Sequence, residues 1–167
     1  MVDIDVKKIK ISKEKLEKTK QESITEYNKI GSVFCPYLKC EVAFNSKGIE
    51  HLKFKEKNKP RSPEEQYLRF KLLPLAGHII KNSHTIQEYF ETKRFEKQKI
   101  NSRWEGGLVE VFYYGFVAII NNARLKIIIK ETRGGNKFFY SIIPFWKNNR
   151  KNSTNKKILH AGNMETD

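Results

Sequence analysis

Hydrophobic and polar residues alternate with a period of two along three consecutive segments near the carboxyl-terminal end of the chain. The segments are LVEVFYYGFVAII (108–120), ARLKIIIK (123–130) and NKFFYSII (136–143). This alternation indicates β-strands that turn one face toward a core. Asn121-Asn122 and the glycines of TRGGNK suit the turns between them, because Asn and Gly tolerate positive φ. The three segments therefore predict an antiparallel meander.

The predicted turns also set a register for the meander. Across the two-residue turn, the predicted pairs are Ala118 with Leu125, Phe116 with Ile127, and Tyr114 with Ile129. On the return strand, the predicted pairs are Lys130 with Lys137, Ile129 with Phe138, Ile127 with Tyr140, and Leu125 with Ile142. One face of the sheet is then apolar throughout, as a core face requires.

The second face of these strands is mostly positive. In the predicted register it carries Tyr113, Arg124, Lys126, Lys130, Lys137, Phe139 and Ser141. Lys130 and Lys137 lie opposite each other, and like charges at such positions repel. The face is therefore either a well-solvated surface or a site that binds an anion.

Upstream of the meander, the pattern predicts helices and one hairpin. A charged helix is expected over 7–30, ended by Gly31. YLKCEVAF and IEHLKF flank NSKG and predict a hairpin in which Val42 faces His51. A helix is predicted to start after Ser62, because Ser62 and Glu65 form a capping box and Pro63 suits the first helical position. A second short helix or turn is predicted at LAGHIIKNS.

The remaining elements complete an α+β fold. HTIQEYFETKRFEKQKINSRW predicts a long strand or a strand pair that EGG interrupts. The predicted architecture is an antiparallel sheet, a meander of about four to six strands, packed on one face by a long helix and preceded by an N-terminal helical arm. The predicted divisions are an arm at 1–31, an α+β domain at 32–147 and a disordered polar tail at 148–167.

Composition narrows the choice of partners. The 167 residues contain 33 Lys+Arg against 19 Asp+Glu, a formal charge of +14. This balance favours an anionic partner, either nucleic acid or an anionic membrane surface, over charge that serves solubility alone. No export signal or apolar span is seen, so a cytoplasmic protein without a membrane span is expected, with Cys35 and Cys40 reduced.

The sequence contains no motif that is typical of a metal site or a nucleotide-binding loop, which leaves chemistry that needs no metal ion. The histidines lack HxxxH spacing, the carboxylates are scattered among lysines, and no glycine-rich phosphate loop is present. RNA carries its own nucleophile, the 2′-hydroxyl. A protein that cleaves RNA needs only to align this group, move protons and stabilise charge on phosphorus.

The order of motifs resembles a nuclease superfamily. GIEHLKFK, RSPEEQYLRFKLLP and RLKIIIKETRGGNKFFYSIIPFW follow one another over residues 38–146. They resemble the phage-associated branch of the barnase/EndoU/colicin/RelE-like (BECR) nucleases. The resemblance rests on His51 in EHL, on Arg61 and Arg69 around the helix, and on the lysines of the last hairpin. It implies an antiparallel sheet whose basic face cuts RNA, and an acidic inhibitory protein as a partner.

The candidate site residues follow from the basic face and from this resemblance. The candidate catalytic residues are His51, Tyr113, Lys126 and Lys130. The candidate nucleic-acid-binding residues are Lys53, Arg61, Arg69, Arg103, Arg124, Lys137, Phe139 and Ser141. Two of them have plainer readings: His51 as a half-buried strand residue, and Arg69 as a partner of Glu65 one helical turn earlier.

The function expected from the sequence is an endoribonuclease that needs no metal or other cofactor, of the kind that serves as a toxin or a phage or mobile-element effector. The alternative is a non-catalytic RNA- or DNA-binding module that uses the same basic face. A third reading is a structural protein whose N-terminal helix mediates assembly.

Overall fold

The computed structural model of the protein describes residues 10–56, 59–121 and 123–144, and the fold is α+β. The helices in these ranges are α1 (Lys13–Ile30), α2 (Ser46–Lys53), α3 (Pro63–Leu72) and α4 (Ala76–Lys81). The strands are β1 (Ser32–Cys35), β2 (Cys40–Ala43), β3 (Phe54–Glu56), β4 (Lys59–Pro60), β5 (Glu88–Ile100), β6 (Arg103–Ile120), β7 (Ala123–Thr132) and β8 (Phe138–Pro144). The predicted tail at 148–167 lies outside the described residues.

The N-terminal helix α1 is present as predicted, and it packs into the protein core. The Ser12 side chain accepts a hydrogen bond from the Lys15 amide and caps the helix. Tyr27 is buried among the core residues, and Ser23 donates a hydrogen bond of 2.6 Å to the Phe70 carbonyl of α3. The helix therefore shares one core with the sheet.

The predicted hairpin around NSKG is wrong, because these residues begin helix α2. The Asn45 side chain accepts from the Lys47 amide and caps the helix. Ile49 and Leu52, three residues apart, then face the core together. At Gly48 a Cβ atom would lie 2.7 Å from the Phe139 carbonyl, so glycine allows α2 to approach β8 closely. His51 is consequently a helix residue and does not face Val42.

The capping box at α3 is confirmed. The Ser62 hydroxyl accepts from the Glu65 amide, and the Glu65 carboxylate accepts from the Ser62 amide. A 3-10 turn at Leu73–Leu75 accommodates Pro74, and α4 follows it as the predicted second short helix. Helices α3 and α4, together with α1, pack against one face of the sheet.

The main sheet has six strands in the order β1-β2-β8-β7-β6-β5, and β3 and β4 form a separate pair. Neighbouring strands of this sheet are antiparallel except β2 and β8, which pair in parallel at Ala43 and Phe138. Beyond that pair, α2 and α3 contact β8. The predicted α+β fold, with a mostly antiparallel sheet, helices and an N-terminal helix, is thus confirmed.

The predicted register is confirmed between β6 and β7 and wrong between β7 and β8. Ala118, Phe116 and Tyr114 pair with β7 as predicted. On β8, Ile127 pairs with Ile142 and Ile129 with Phe139, and the register shifts between Ile128 and Ile129. The shift makes Tyr140 an extra residue of β8, a β-bulge that moves Phe139 to the opposite face.

Strands β5 and β6 form a long hairpin that extends past the rest of the sheet. The predicted interruption at EGG is wrong, since Glu105 to Gly107 continue β6 and pair with β5. The turn falls at Asn101 and Ser102, which have φ of 47° and 66°. Because β7 pairs with β6 only from Val111 onward, residues 93–110 form a two-stranded extension, called here the ribbon.

The two faces of the sheet have different surroundings. The inner face carries Phe116, Leu125, Ile127, Ile129, Phe139 and Ile142 and packs against the helices. The outer face carries a smaller apolar cluster of Val111, Tyr113, Ile128 and Ile143, with Val109 and Tyr140 packed against it. Lys126 and Lys130 belong to this outer face by strand alternation.

Candidate functional site

The outer face gathers polar side chains from six elements and one loop into one group, called here the outer-face cluster. Its members are His51 of α2, Arg61 between β4 and α3, Arg69 of α3, Glu88, Arg94 and Glu96 of β5, Tyr113 of β6, Lys126 and Lys130 of β7, and Tyr140 and Ser141 of β8. Distant parts of the chain therefore meet at one place on the sheet.

Two tyrosines and a lysine form the centre of the cluster. The ring centroids of Tyr113 and Tyr140 are 5.5 Å apart. The Lys130 ammonium lies 5.8 Å from the Tyr113 centroid and 5.3 Å from the Tyr140 centroid, within cation–π range of both rings. The β8 bulge makes this arrangement possible, because it turns Tyr140 toward the outer face.

His51 and Arg61 support Tyr140 from the side of α2. The imidazole stacks on the Tyr140 ring with centroids 3.9 Å apart and an angle of 21° between the planes. Arg61 donates to the His51 carbonyl through Nε at 3.0 Å and contacts His51 Nε2 through Nη2 at 3.1 Å. A guanidinium only donates, so this Nε2 accepts and carries no proton.

Arg69 links α3 to the bulged strand. Its Nη1 donates to the Ser141 hydroxyl at 2.8 Å and to the Ile142 carbonyl at 3.2 Å. Both Arg69 and Ser141 are buried. The bond fixes β8 beside the helix, so the Arg69 side chain reaches the sheet.

The two outer-face lysines are each paired with a carboxylate of β5. Lys126 Nζ lies 2.8 Å from Glu88, and its side chain is 0% exposed. Lys130 Nζ lies 2.8 Å from Glu96, with the lysine side chain 11% exposed and the glutamate 25%. The outer face is therefore neither bare nor fully solvated, and carboxylate oxygens occupy positions that phosphate oxygens could take.

The contact between Lys130 and Glu96 shows that the ribbon curves back over the outer face. Glu96 pairs with Gly107, whereas Lys130 pairs with Tyr113, six residues further along β6. Six residues of a flat strand span about 20 Å, too far for the two side chains to bridge. The strand must therefore coil, and β5 forms one wall of the outer-face cluster.

The electrostatic surroundings of Glu96 favour its charged form. Partial burial disfavours the carboxylate, but the hydrogen bond from Lys130 and the charges of Lys130 and Lys47 outweigh it and lower the pKa of Glu96. Thr132 adds a hydrogen bond to the same carboxylate. The charged form of Glu96 is thus favoured to a pH below its ordinary pKa of 4.5.

Seven of the twelve candidate site residues meet in this cluster. They are His51, Arg61, Arg69, Tyr113, Lys126, Lys130 and Ser141. Three others lie elsewhere: Lys53 ends α2, Arg103 starts β6 at the ribbon turn, and Lys137 forms an ion pair with Glu131 on the inner-face side. Arg124 lies on the outer face by strand alternation, opposite Ile119 near the start of β7.

The twelfth candidate, Phe139, is not a base-stacking residue. Its side chain is 0% exposed and stacks in the core on Phe44 with centroids 5.3 Å apart. The β8 bulge is the reason, because one inserted residue exchanges the faces of Phe139 and Tyr140. Tyr140 takes the outer-face position that the sequence assigned to Phe139.

Four members of the outer-face cluster were not predicted from the sequence: Tyr140, Glu88, Arg94 and Glu96. Arg94 lies 3.4 Å from the Tyr113 hydroxyl, on the same side of β5 as the two glutamates. Strand alternation alone places Glu88, Arg94 and Glu96 on one side of β5, and this was the available signal. What the pattern did not contain is the coiling that brings this side onto β7.

Among residues 10–56, 59–121 and 123–144, no three His, Cys, Asp or Glu side chains come together in a way that could hold a metal ion. No helix of the same ranges has the length and apolar content to cross a membrane.

The chain was also compared with known proteins. No protein-family model, no curated protein and no solved structure matches it.

Proposed function

We propose that the outer-face cluster is the active site of an endoribonuclease that works without a metal ion. One observation carries this proposal: Lys130 lies between two tyrosine rings and a carboxylate, with Lys126, Arg94 and Arg69 in the same cluster. Cleavage through the 2′-hydroxyl requires a group that moves protons and cations that stabilise charge on phosphorus, and a carboxylate beside lysine and arginine suits both needs.

Lys130 is the residue that stabilises charge on phosphorus in this proposal. Its side chain is 11% exposed, and its ammonium already holds an anion, the Glu96 carboxylate. A scissile phosphate that takes part of this coordination would place its oxygens against a cation held by two rings. Lys126 adds a second fixed positive charge, with Glu88 as its present partner.

Glu96 is the group that moves protons. Its side chain is partly exposed, so it can accept the proton of the 2′-hydroxyl and then return that proton to the leaving 5′-oxygen. Tyr113 is 0% exposed, so its ring supports the Lys130 ammonium and does not touch the RNA. His51, whose Nε2 is engaged by Arg61, serves to position Tyr140.

The experiment compares RNA with DNA of the same sequence in EDTA. Purified protein is expected to cleave the RNA, leave the DNA intact, and yield 2′,3′-cyclic phosphate and 5′-hydroxyl ends. These ends report attack by the 2′-hydroxyl and not by water. Cleavage of the DNA, 5′-phosphate ends, or activity that EDTA abolishes would each contradict the proposal.

A non-catalytic RNA-binding module is the second candidate, and a specific observation favours it. Lys126 is fully buried and both outer-face lysines are paired with carboxylates, while the ribbon exposes aromatic side chains. A folded protein that binds RNA with a salt-dependent affinity and cleaves none would establish this function. An acidic inhibitory partner, and a role as a toxin or a phage or mobile-element effector, stay predictions from the family resemblance.

A further inference from the structure

The ribbon has a second side that takes no part in the outer-face cluster. Phe95, Lys97 and Lys99 alternate on it along β5, with Leu108 opposite Phe95 and Trp104 opposite Lys99. Phe95, Trp104 and Leu108 are 72%, 71% and 70% exposed. We call these five residues the aromatic side of the ribbon. Large apolar side chains exposed together mark a surface that binds something.

The Phe95 ring approaches the backbone of the opposite strand closely at Gly106. A Cβ atom at Gly106 would lie 2.7 Å from two atoms of the Phe95 ring, so only glycine leaves room for the ring there. Phe95 is nevertheless 72% exposed. The ring is therefore in contact with the opposite strand and still open to a ligand, and such partial ordering lowers the entropy cost of binding.

The charges around these rings are positive. Lys93 lies two residues before Phe95 on the same side of β5, and Lys97 and Lys99 follow it. The carboxylate nearest in this register, Glu110, is paired with Lys93 across the strands and forms an ion pair with Arg133. Lysines are depleted in the centres of protein–protein interfaces, whereas rings interleaved with lysines suit an anion that also stacks.

We propose that the aromatic side of the ribbon binds single-stranded RNA, with bases stacked on Trp104 and Phe95 and phosphates on Lys97 and Lys99. This inference rests on the proposed function for its ligand class and narrows the substrate to unpaired RNA. A duplex hides its base faces by pairing and stacking, so it cannot use the two rings. The outer-face cluster lies on the other side of the same ribbon, and a bound strand reaches it around the edge strand β5.

The test uses 2′-O-methyl oligo(U), which lacks the attacking hydroxyl and cannot be consumed. The chain has two tryptophans, so Trp146→Phe leaves Trp104 as the sole fluorophore. Oligo(U) is expected to quench the Trp104 fluorescence in proportion to binding, and duplex RNA at the same concentration is not. Anisotropy of labelled oligo(U) with the unaltered chain gives the affinity independently.

Matched variants assign the contacts. Trp104→Ala and Phe95→Ala are each expected to weaken oligo(U) binding about 5- to 100-fold, the range found for base–aromatic stacking. Lys97→Met and Lys99→Met should each lower the slope of log affinity against log salt by about 0.7. The control is Phe34→Ala, which removes a half-exposed aromatic ring on β1 at the far edge of the sheet and should leave binding unchanged.

The proposal is overturned if oligo(U) leaves Trp104 fluorescence unchanged at low salt, or if Trp104→Ala and Phe95→Ala bind like the unaltered protein. It is also overturned if Trp104→Ala abolishes a dimer seen by sedimentation while oligo(U) binding persists, because the surface then pairs with a second copy. Failure of the ribonuclease proposal looks different: oligo(U) binds and the ribbon variants weaken it, but RNA is not cleaved.

Discussion

The outer-face cluster and the aromatic side of the ribbon use the same residue types, lysine and aromatic, in opposite environments. In the cluster, Lys126 and Tyr113 are 0% exposed and the lysines have carboxylate partners 2.8 Å away. On the ribbon, Phe95 and Trp104 are more than 70% exposed. The same residue types are therefore held in ion pairs and ring contacts in one region and are left open to solvent in the other, so burial and not residue type distinguishes the two surfaces.

The largest effect should separate the two environments by stability alone. Phe139→Ala removes a fully buried ring stacked on Phe44 and should lower the free energy of unfolding by about 3–5 kcal/mol. Phe95→Ala removes a ring of the same size from the ribbon and should change it by about 0.5 kcal/mol or less. Urea unfolding measures both. Equal losses would mean that the ribbon belongs to the core.

The next effect is on cleavage. Lys130→Met keeps most of the side-chain volume but removes the charge beside Tyr113 and Tyr140, and should slow RNA cleavage about 100- to 1000-fold. The control is Lys137→Met, which removes a lysine that is also paired with a glutamate but lies away from the cluster. The initial rate of RNA cleavage in EDTA is measured for both variants. Comparable losses of rate would mean that Lys130 is not part of the active site.

A third effect concerns the buried ion pair. Lys126→Met leaves Glu88 without its partner and should lower the free energy of unfolding by about 1–3 kcal/mol. Adding Glu88→Gln should recover part of that loss, because the unpaired charge is then gone. Lys97→Met on the ribbon serves as the exposed control. If the double variant is no more stable than Lys126→Met, the pair is not the origin of the effect.

The smallest effect is a dependence on pH. The pKa of Glu96 is lowered from its ordinary value of 4.5 by Lys130, so the pair stabilises the ribbon fully above that value. The contribution is lost as the pH falls from 4.5 through the lowered pKa of the folded state. The stability difference between the unaltered chain and Glu96→Gln should therefore shrink in that window. Glu105→Gln, which alters an exposed carboxylate of the same ribbon, is the matched control.

How much the sequence could predict depended on whether local signals agreed. The α3 capping box and the β6–β7 register were predicted because turn chemistry and alternation gave one answer. Helix α2 was not predicted because it has only eight residues. In so short a segment a helical pattern of hydrophobic residues cannot be told from an alternating one. Asn45 and its cap to Lys47 were the signal that went unused.

The outer-face cluster was predictable in part. Alternation placed Tyr113, Lys126 and Lys130 on one face, and the structure keeps them there. The β8 bulge was not predictable from alternation, because both registers leave apolar residues on both sides of β8, and the bulge alone exchanges Phe139 for Tyr140. Coiling of the ribbon onto Lys130 depends on contacts between distant segments, so Glu96 could not be placed by any local pattern.

The most direct test of the separation between the two regions measures cleavage and binding on the same two variants. Lys130→Met and Trp104→Ala are compared for cleavage of a dinucleotide, too short to span both regions, and for binding of 2′-O-methyl oligo(U). We predict that Lys130→Met loses cleavage about 100-fold or more and keeps its affinity within about threefold. Trp104→Ala should lose affinity and cleave the dinucleotide normally. Parallel loss of both properties in both variants would contradict the account, since one surface would then serve both.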